Sequence, residues 1–466
     1  MGFVLSVLYF VAYYLTPKVI FGPLAAYRIE LLLAALIAVV SLPKLLASIP
    51  LRTPQSLALI GLALAVLLSV IVGARWLGGA VDAFLLFIPN AFGYFLVCLH
   101  FNSKRRLQVL AIMLFSVCLF VIVQGVWELH RGTPVNGPPL VEDTGRVDRQ
   151  LWGADYPYLL PMKNDAGEWF YRLEGEGEID DPNDFGQLTV CVIPLMFLFW
   201  RPKKKLWNLA CVLLPVSVLL AGVFLTRSRG ALVALAVLAL LAARRRIGTV
   251  AAVVLSGGLF AAFMALQFTG GREISANAGS DRTSLWGDSL QLLKVHPIFG
   301  VGFGNLHDYL GLTAHNSVAV CLAELGLFGL FFWSLFLFPT LRDALTVASP
   351  AKVTAGQPVV VETQPFPGPV KKEDDVITDS EINSFGRLMV LSLAGYLVAG
   401  FFLSRAFVMT LFLLGGVAEV FYSLALDRKM IGPRLKLGRV AMYSAMLAAS
   451  CVGVLYIVVR AANVMR

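Results

Sequence analysis

The chain has 466 residues, of which 58% are hydrophobic and 14% are charged, and its formal net charge is +9. Soluble globular proteins carry about 25% charged residues, so this composition excludes an ordinary soluble domain and predicts an all-α, polytopic integral membrane protein. The basic excess does not indicate a nucleic-acid partner, because the basic residues fall in short runs beside apolar segments, where they set helix orientation. The six cysteines lie within or beside apolar runs and show neither disulfide nor metal-ligand spacing.

A transmembrane helix needs about 20 mostly apolar residues, and a single transmembrane domain over residues 1–466 has room for about 12 or 13 of them. In chain order the predicted helices cover residues 1–16, 29–49, 56–76, 80–99, 106–127, 184–200, 206–225, 229–243, 247–267, 315–340, 387–403, 405–426 and 439–460. The first lacks a basic leader and a small-residue cleavage site, which predicts a retained helix rather than a removed signal peptide.

Four basic clusters lie between these predicted helices and indicate their orientation. They are Lys104-Arg105-Arg106, Arg201 with Lys203-Lys204-Lys205, Arg244-Arg245-Arg246, and the segment from Arg428 to Arg439. The positive-inside rule places all four in the cytoplasm. The N-terminus then lies inside, and two sizeable loops, 128–183 and 268–314, lie outside.

Three segments between the helices differ in composition. The stretch from Glu128 to Asp184 carries thirteen acidic and five basic residues, which favours a periplasmic or extracellular loop. Residues 268–314 form the second outer loop and hold most of the polar motifs. Residues 341–386 are first proline-rich and then charged, and they are predicted to form a flexible cytoplasmic loop with no chemistry.

The first outer-face motif is Thr226-Arg227-Ser228-Arg229-Gly230, a tight turn between two apolar helices. Ser228 is a suitable N-cap for the second helix, which places Arg229 in its first turn. A cation there is unfavourable by about 0.3–1 kcal/mol unless an anion is also present. A phosphate would join the guanidinium and the free backbone N–H groups into one anion site; alternatively, Arg227 and Arg229 extend toward lipid head groups.

The second motif is Arg282, at the start of a short amphipathic helix that Ser280 or Asp281 can cap. The apolar positions of this helix repeat at helical spacing from Trp286, which also suits an interfacial anchor. Two guanidinium groups suit a pyrophosphate, because each can bind phosphate oxygens in a bidentate manner. The alternative is a surface arginine paired with Asp281 or Asp288.

The third motif is His315-Asn316, at the start of the helix that continues to Glu324. A neutral imidazole there can accept a proton from a hydroxyl group, as a general base does; the alternative is a capping histidine satisfied by backbone groups. Glu324 lies about 13 Å further along the helix. A carboxyl at that depth is either functional or a hydrogen-bonded tie between helices.

Glycines at 300, 302 and 304 alternate between His296 and Asn305. No strand precedes them, so the dinucleotide-binding fingerprint does not apply, and they are predicted to allow sharp turns against a ligand or a helix. The run from Asp181 to Asp184 enters another helix, and capping explains it, with a substrate contact as the alternative.

Taken in order, these motifs resemble the O-antigen ligase and polymerase family of bacterial envelope enzymes. The resemblance rests on 226–230, Arg282 with Trp286, 296–305, and His315-Asn316 with 324–326; residues 181–184 resemble a subset of the family. It covers roughly residues 180–330.

The resemblance implies a multi-pass enzyme of the bacterial inner membrane whose active site faces the periplasm. It implies an inverting glycosyltransferase that uses an undecaprenyl-pyrophosphate-linked glycan as donor, with no metal and no cofactor. Carried over by position, Arg229 and Arg282 would hold the pyrophosphate, and His315 would activate the acceptor hydroxyl. The substrate-binding residues expected from the same motifs are Arg227, Asn316, Glu324, His296 and Asn305.

The acceptor is open at this stage. Lipid A–core is favoured, which would make the chain a ligase; a second glycan unit would make it a polymerase, and a protein serine would make it a protein glycosylation enzyme. The long acidic outer loop and the proline-rich inner loop depart from a typical ligase. A secondary transporter or flippase is the alternative of another class, supported by Glu324, Glu419 and Pro89-Asn90, but no internal repeat is evident.

Overall fold

A computed structural model describes residues 1–16, 29–47, 53–134, 137–141, 147–265, 276–349 and 377–464. The chain is 77% helical, and its one sheet in these ranges is a two-stranded hairpin. The prediction of an all-α, polytopic membrane protein is therefore confirmed.

The first half of the described chain contains seven α-helices and the hairpin. In order these are α1 Gly2–Leu15, α2 Ile29–Ala47, α3 Pro54–Leu68, α4 Gly79–His100, α5 Lys104–Arg131, α6 Arg149–Asp155, β1 Leu159–Lys163, β2 Trp169–Leu173 and α7 Pro182–Met196. A π-helical turn, Ser69–Gly73, extends α3, and short 3-10 turns lie at Gly177–Ile179 and Phe197–Phe199.

The second half is helical throughout its described residues. The elements are α8 Lys205–Asn208, a π-turn at Leu209–Leu213, α9 Leu214–Thr226, α10 Arg229–Ile247, α11 Thr249–Ala265, α12 Ala276–Val295, α13 Leu306–Leu310, α14 Ser317–Ala348, α15 Asp379–Gly400, α16 Met409–Asp427 and α17 Leu437–Val464.

Each of the thirteen predicted membrane helices coincides with a helical segment of the structure. Within the described ranges, nine segments are long and apolar enough to cross a membrane: Pro54–Gly73, Gly79–His100, Lys104–Arg131, Pro182–Phe199, Lys205–Thr226, Ser317–Ala348, Asp379–Gly400, Met409–Asp427 and Leu437–Asn463. The helices α1, α2 and α11 contain shorter apolar runs. Long runs of apolar residues located these helices, because a segment buried in lipid must be apolar along its whole length.

The predicted inner loop 341–386 is too wide at both ends. Helix α14 continues to Ala348 and α15 begins at Asp379. The polar Asp343 remains inside α14 because it is buried beside cationic and amide partners, accepting a hydrogen bond of 2.9 Å from Gln55 Nε2. At the other end, Thr378 forms a capping box with Glu381 and fixes the helix start. Residues 350–376 of the predicted loop lie outside the described ranges.

Contacts between loops support the predicted alternation of the helices. Arg245 donates a hydrogen bond of 3.2 Å to Ser349, and Arg428 pairs with Asp379 at 2.9 Å. All four residues belong to segments that the sequence places on the cytoplasmic side. Segments predicted on one side of the membrane therefore meet at one end of the bundle.

At the opposite end of the bundle, the described parts of the acidic segment 128–183 include a short helix and a hairpin. Its β1–β2 hairpin is antiparallel, with Leu159 opposite Leu173 and Lys163 opposite Trp169. The buried ring of Trp152 stacks on Tyr171 at 5.6 Å, and its indole N–H donates to the carbonyl of Leu159 at 2.6 Å. The hairpin packs on α9, α7 and the end of α5.

Helix α14 is broken near its N-terminal end. Gly326 adopts φ 65° and ψ −164°, which interrupts the helix and leaves backbone groups without intrahelical partners. The glycine-rich loop supplies them: backbone N–H···O bonds of 2.9–3.1 Å join Val301 to Ala323, Gly302 to Glu324, Leu327 to Pro297, and Phe328 to Ile298. The alternating glycines thus allow backbone to pack on backbone, as the sharp-turn prediction anticipated.

Candidate functional site

The arginine turn connects α9 to α10 as the sequence predicts. Ser228 is the N-cap of α10, and its Oγ accepts the N–H of Ala231 at 3.3 Å. Arg227 adopts the left-handed conformation with φ 50° and closes α9. Arg229 is therefore the first residue of α10, at the positive end of the helix dipole, and is half-buried.

Arg282 does not lie at a helix N-terminus, so that prediction is wrong. Helix α12 begins at Ala276, and the predicted caps Ser280 and Asp281 lie inside it. Alanines at 276 and 278 favour an earlier helix start, and Arg282 falls in the second turn. The argument for an anion at Arg282 therefore depends on its surroundings rather than on the helix dipole.

Trp286 is buried rather than interfacial, which corrects a second expectation. Its side chain is 4% exposed, and its indole N–H donates to the carbonyl of Ala314 at 2.8 Å. The ring meets Phe401 edge-on at 5.3 Å. Because Ala314 directly precedes His315, this contact fixes α12, with Arg282 one turn before Trp286, against the histidine.

His315 lies in a sharp turn that leads into α14. Its φ is 48°, and its backbone N–H donates to Ser404 Oγ at 2.9 Å. Capping is performed by Asn316, whose side-chain oxygen accepts the N–H groups of Val318 and Ala319. Among the described residues the imidazole of His315 has no hydrogen-bond partner, so the alternative of a capping histidine is not what the structure contains.

The predicted cations and the histidine influence one another electrostatically. Burial, followed by the positive charge of Arg282, lowers the pKa of His315, and Asp181 opposes this shift. Burial and the charge of Arg229 lower the pKa of Arg282. Arg282 is therefore near both partners, and His315 is biased toward the neutral form that can accept a proton.

Arg229 and Arg282 form neither a hydrogen bond nor an ion pair with any residue in the described part of the chain. The guanidinium of Arg227 lies 5.4 Å above the ring of Phe170. Two half-buried guanidinium groups with unused donors, close enough for their charges to interact and partly balanced by Asp181, suit a phosphate-bearing ligand.

A further arginine of this site, Arg172, escaped sequence reasoning. It lies on β2, is 5% exposed, and donates from Nε to the carbonyl of Thr226 at 2.9 Å. Burial lowers its pKa, Asp181 and Glu174 oppose that shift, and the charges of Arg229 and Arg282 add to it. No local pattern identifies it, because it lies on a strand about fifty residues before the arginine turn that it contacts.

The Asp181–Asp184 segment both caps α7 and binds a distant loop. Asp181 Oδ1 accepts the N–H of Asn183 at 2.7 Å, which confirms the capping role. Asp184 forms a buried ion pair with Arg405, whose pKa these carboxylates raise, and Asp180 lies 3.6 Å from the same guanidinium. Arg405 is the second residue that the sequence did not reveal.

A small open cleft lies beside this ion pair. Its polar lining includes Tyr13, Tyr14, Glu178, Asp184 and Arg405. None of the predicted site residues lines it. It adjoins the histidine turn through the backbone, since Arg405 follows Ser404, which binds the N–H of His315.

The remaining predicted residues lie where the glycine-rich loop packs on the break in α14. His296 and Asn305 belong to the loop, and Glu324 belongs to the helix. The side chain of Asn305 binds the carbonyl of Val301 at 3.4 Å, and the backbone N–H groups of Gly304 and Leu306 face the carboxyl of Glu324, which is 7% exposed. These contacts match the structural alternative for Glu324. His296 is half-buried at the start of the same loop.

Comparison with known families agrees with the motif order. The family model described as O-antigen ligase matches residues 214–334, which contain the arginine turn, α12, the glycine loop and the histidine turn. No curated protein and no solved structure matches the chain. The resemblance is therefore confirmed for residues 214–334, the segment that is similar to the O-antigen ligase family.

Proposed function

We propose that the chain is a membrane glycosyltransferase that moves a glycan from an undecaprenyl-pyrophosphate donor to an acceptor hydroxyl at the periplasmic face of the bacterial inner membrane. One observation carries the proposal. Arg282 is in electrostatic contact both with Arg229 and with the half-buried His315, whose pKa is lowered by burial and by the charge of Arg282. An anion-binding pair next to a base is the arrangement that this transfer requires.

The donor pyrophosphate would bind to Arg229 and Arg282. Each guanidinium offers parallel N–H donors that fit phosphate oxygens, and the site is half-buried, which strengthens the attraction. The free N–H groups in the first turn of α10 add to it. Negative charge grows on the pyrophosphate as it leaves, so these cations would stabilise the transition state more than the bound donor.

The acceptor hydroxyl would lose its proton to His315. The acceptor oxygen forms a bond to the anomeric carbon while the bond from that carbon to the pyrophosphate oxygen breaks, and the proton goes to the imidazole. Attack opposite the leaving group inverts the anomeric carbon. The lowered pKa of His315 serves this step, because the imidazole must be neutral before it can act as a base.

The test is transfer in a reconstituted system with an undecaprenyl-pyrophosphate-linked glycan as donor and lipid A–core as acceptor. His315→Ala should abolish product while the protein remains folded. His307→Ala is the matched control, since His307 is an exposed histidine on the neighbouring helix α13. Equal loss in both variants, or full activity in His315→Ala, would refute the role of His315.

The products distinguish the acceptors. Glycosylated lipid A–core identifies a ligase, which we favour, whereas longer lipid-linked chains identify a polymerase, and glycan on an added protein identifies a protein glycosylation enzyme. Substrate movement across vesicles without transfer would identify a transporter or flippase. Two residues that suggested transport have structural partners: Glu419 pairs with Arg434, and Asn90 binds the hydroxyl of Tyr13.

A further inference from the structure

Strand β2 covers the arginine turn with two side chains from one face. Phe170 and Arg172 are two residues apart on the strand, so their side chains point to the same side, and both are buried. Phe170 lies beneath the guanidinium of Arg227, and Arg172 reaches the carbonyl of Thr226. The strand therefore contacts the turn at both residues that precede its N-cap.

Arg172 connects three separate elements. Its Nε donates to the carbonyl of Thr226, the last residue of α9, and its Nη2 donates to Asn183 Oδ1 in the first turn of α7 at 3.0 Å. Its Nη1 lies 3.6 Å from the sulfur of Met162 on β1. All three donor nitrogens are thus directed to neutral protein groups.

Burying this arginine beside other cations is costly. Burial lowers the pKa of Arg172 to about 10; Asp181 and Glu174 oppose this shift, and the smaller influences of Arg229 and Arg282 add to it. No carboxylate lies within ion-pair distance of Arg172 in the described ranges. The hydrogen bonds of Arg172 and the charges of Asp181 and Glu174 offset only part of the cost of burial, since its pKa stays lowered, so this position indicates a role beyond packing.

We propose that β2 is a clamp for the donor pyrophosphate site, in which Arg172 is a positioning residue that fixes the arginine turn so that Arg229 presents its guanidinium to the pyrophosphate. The inference rests on the proposed function. Arg172 binds the carbonyl at the C-terminal end of α9, where a cation also meets the negative end of the helix dipole. The acidic outer segment is then required for binding the donor, whatever the acceptor is.

The experiment measures binding of inorganic pyrophosphate to the purified full chain. Arg172→Met and Arg172→Lys are compared with Lys163→Met, which removes an exposed cation from the same hairpin. We expect Arg172→Met to weaken pyrophosphate binding about tenfold, because a displaced Arg229 would lose about one charged hydrogen bond to the ligand. Lys163→Met should leave binding unchanged. Lysine cannot reproduce the fork to Thr226 and Asn183, so Arg172→Lys should not restore binding.

A double-variant cycle separates positioning from a general structural role. If Arg172 acts through Arg229, the combined Arg172→Met and Arg229→Met variant should bind pyrophosphate no more weakly than Arg229→Met alone. Additive losses, or restored binding in Arg172→Lys, would overturn the inference.

Phe170→Leu provides a second route if Arg172→Met does not fold. The smaller side chain loosens the contact between the strand and Arg227. Pyrophosphate binding should weaken several-fold, and in the transfer assay the donor KM should rise by more than kcat falls. Unchanged donor KM in this variant would overturn the inference. A wild-type chain that neither binds pyrophosphate nor transfers glycan would overturn the proposed function itself, which is a separate result from unaltered binding in the Arg172 variants.

Discussion

Gly326→Ala should destabilise the protein where the glycine-rich loop packs on the break in α14. The backbone of Gly326 has φ 65°, and an added Cβ would lie under 3.0 Å from backbone atoms of Ile298 and Gly300. With ψ −164° this conformation lies in a region essentially restricted to glycine, which costs another residue about 1–3 kcal/mol. The glycine-rich loop would also have to move, which would break its backbone hydrogen bonds of 2.9–3.1 Å to α14. Each buried backbone group left without a partner costs about 1–3 kcal/mol. We expect a total loss of about 3–5 kcal/mol.

The assay is the free energy of unfolding in mixed detergent micelles. Gly300→Ala should behave like Gly326→Ala, because its Cβ would lie 2.5 Å from the carbonyl oxygen of Ala323. The control is Gly257→Ala in α11, where an added Cβ meets no atom within 4 Å; alanine there should leave stability unchanged or raise it slightly. Equal unfolding free energies for Gly326→Ala and Gly257→Ala would refute the proposed packing of loop on broken helix.

Three further predictions concern the site. Arg282→Gln removes a charge that lowers the pKa of His315, so that pKa rises and the residual transfer rate should reach half its maximum at a higher pH than in wild type. Trp286→Phe leaves the buried carbonyl before His315 without its donor and should cost about 1–3 kcal/mol of stability, with reduced transfer, measured by unfolding and turnover. Arg405→Gln leaves the Asp184 carboxylate buried without its guanidinium and should cost about 3–5 kcal/mol in the same unfolding assay.

Each of these predictions has a control that matches its chemistry. Lys294→Gln changes an exposed cation near the end of α12 and should not move the pH profile. Trp207→Phe removes an exposed indole N–H that bonds to a carbonyl at 2.9 Å and should change stability little. Arg428→Gln breaks an exposed ion pair, worth about 0–1 kcal/mol. A pH profile that is the same for Arg282→Gln and Lys294→Gln would contradict the electrostatic argument, as would equal losses within either of the other pairs.

The sequence located what depends on near neighbours along the chain. The membrane helices follow from runs of apolar residues, and the Ser228 and Asp181 caps follow from polar side chains placed just before such runs. Where two local signals disagreed about a helix boundary, the sequence predicted the wrong residue. The Ser280-Asp281 pair resembles a cap, yet the alanines before it extend α12, and Asp343 resembles the start of a loop, yet α14 continues past it.

Only the tertiary structure decided which distant groups meet. Arg172 and Arg405 carry no motif, and their importance arises from partners about fifty to more than two hundred residues away. Trp286 is a residue type that often anchors helices at the membrane interface, but its indole N–H donates to the carbonyl of Ala314, beside His315, inside the protein. Periodicity and capping are local consequences of backbone geometry and therefore visible in sequence, whereas the partner of a buried charge or hydrogen-bond donor is set by packing between elements, which the order of residues along one helix does not contain.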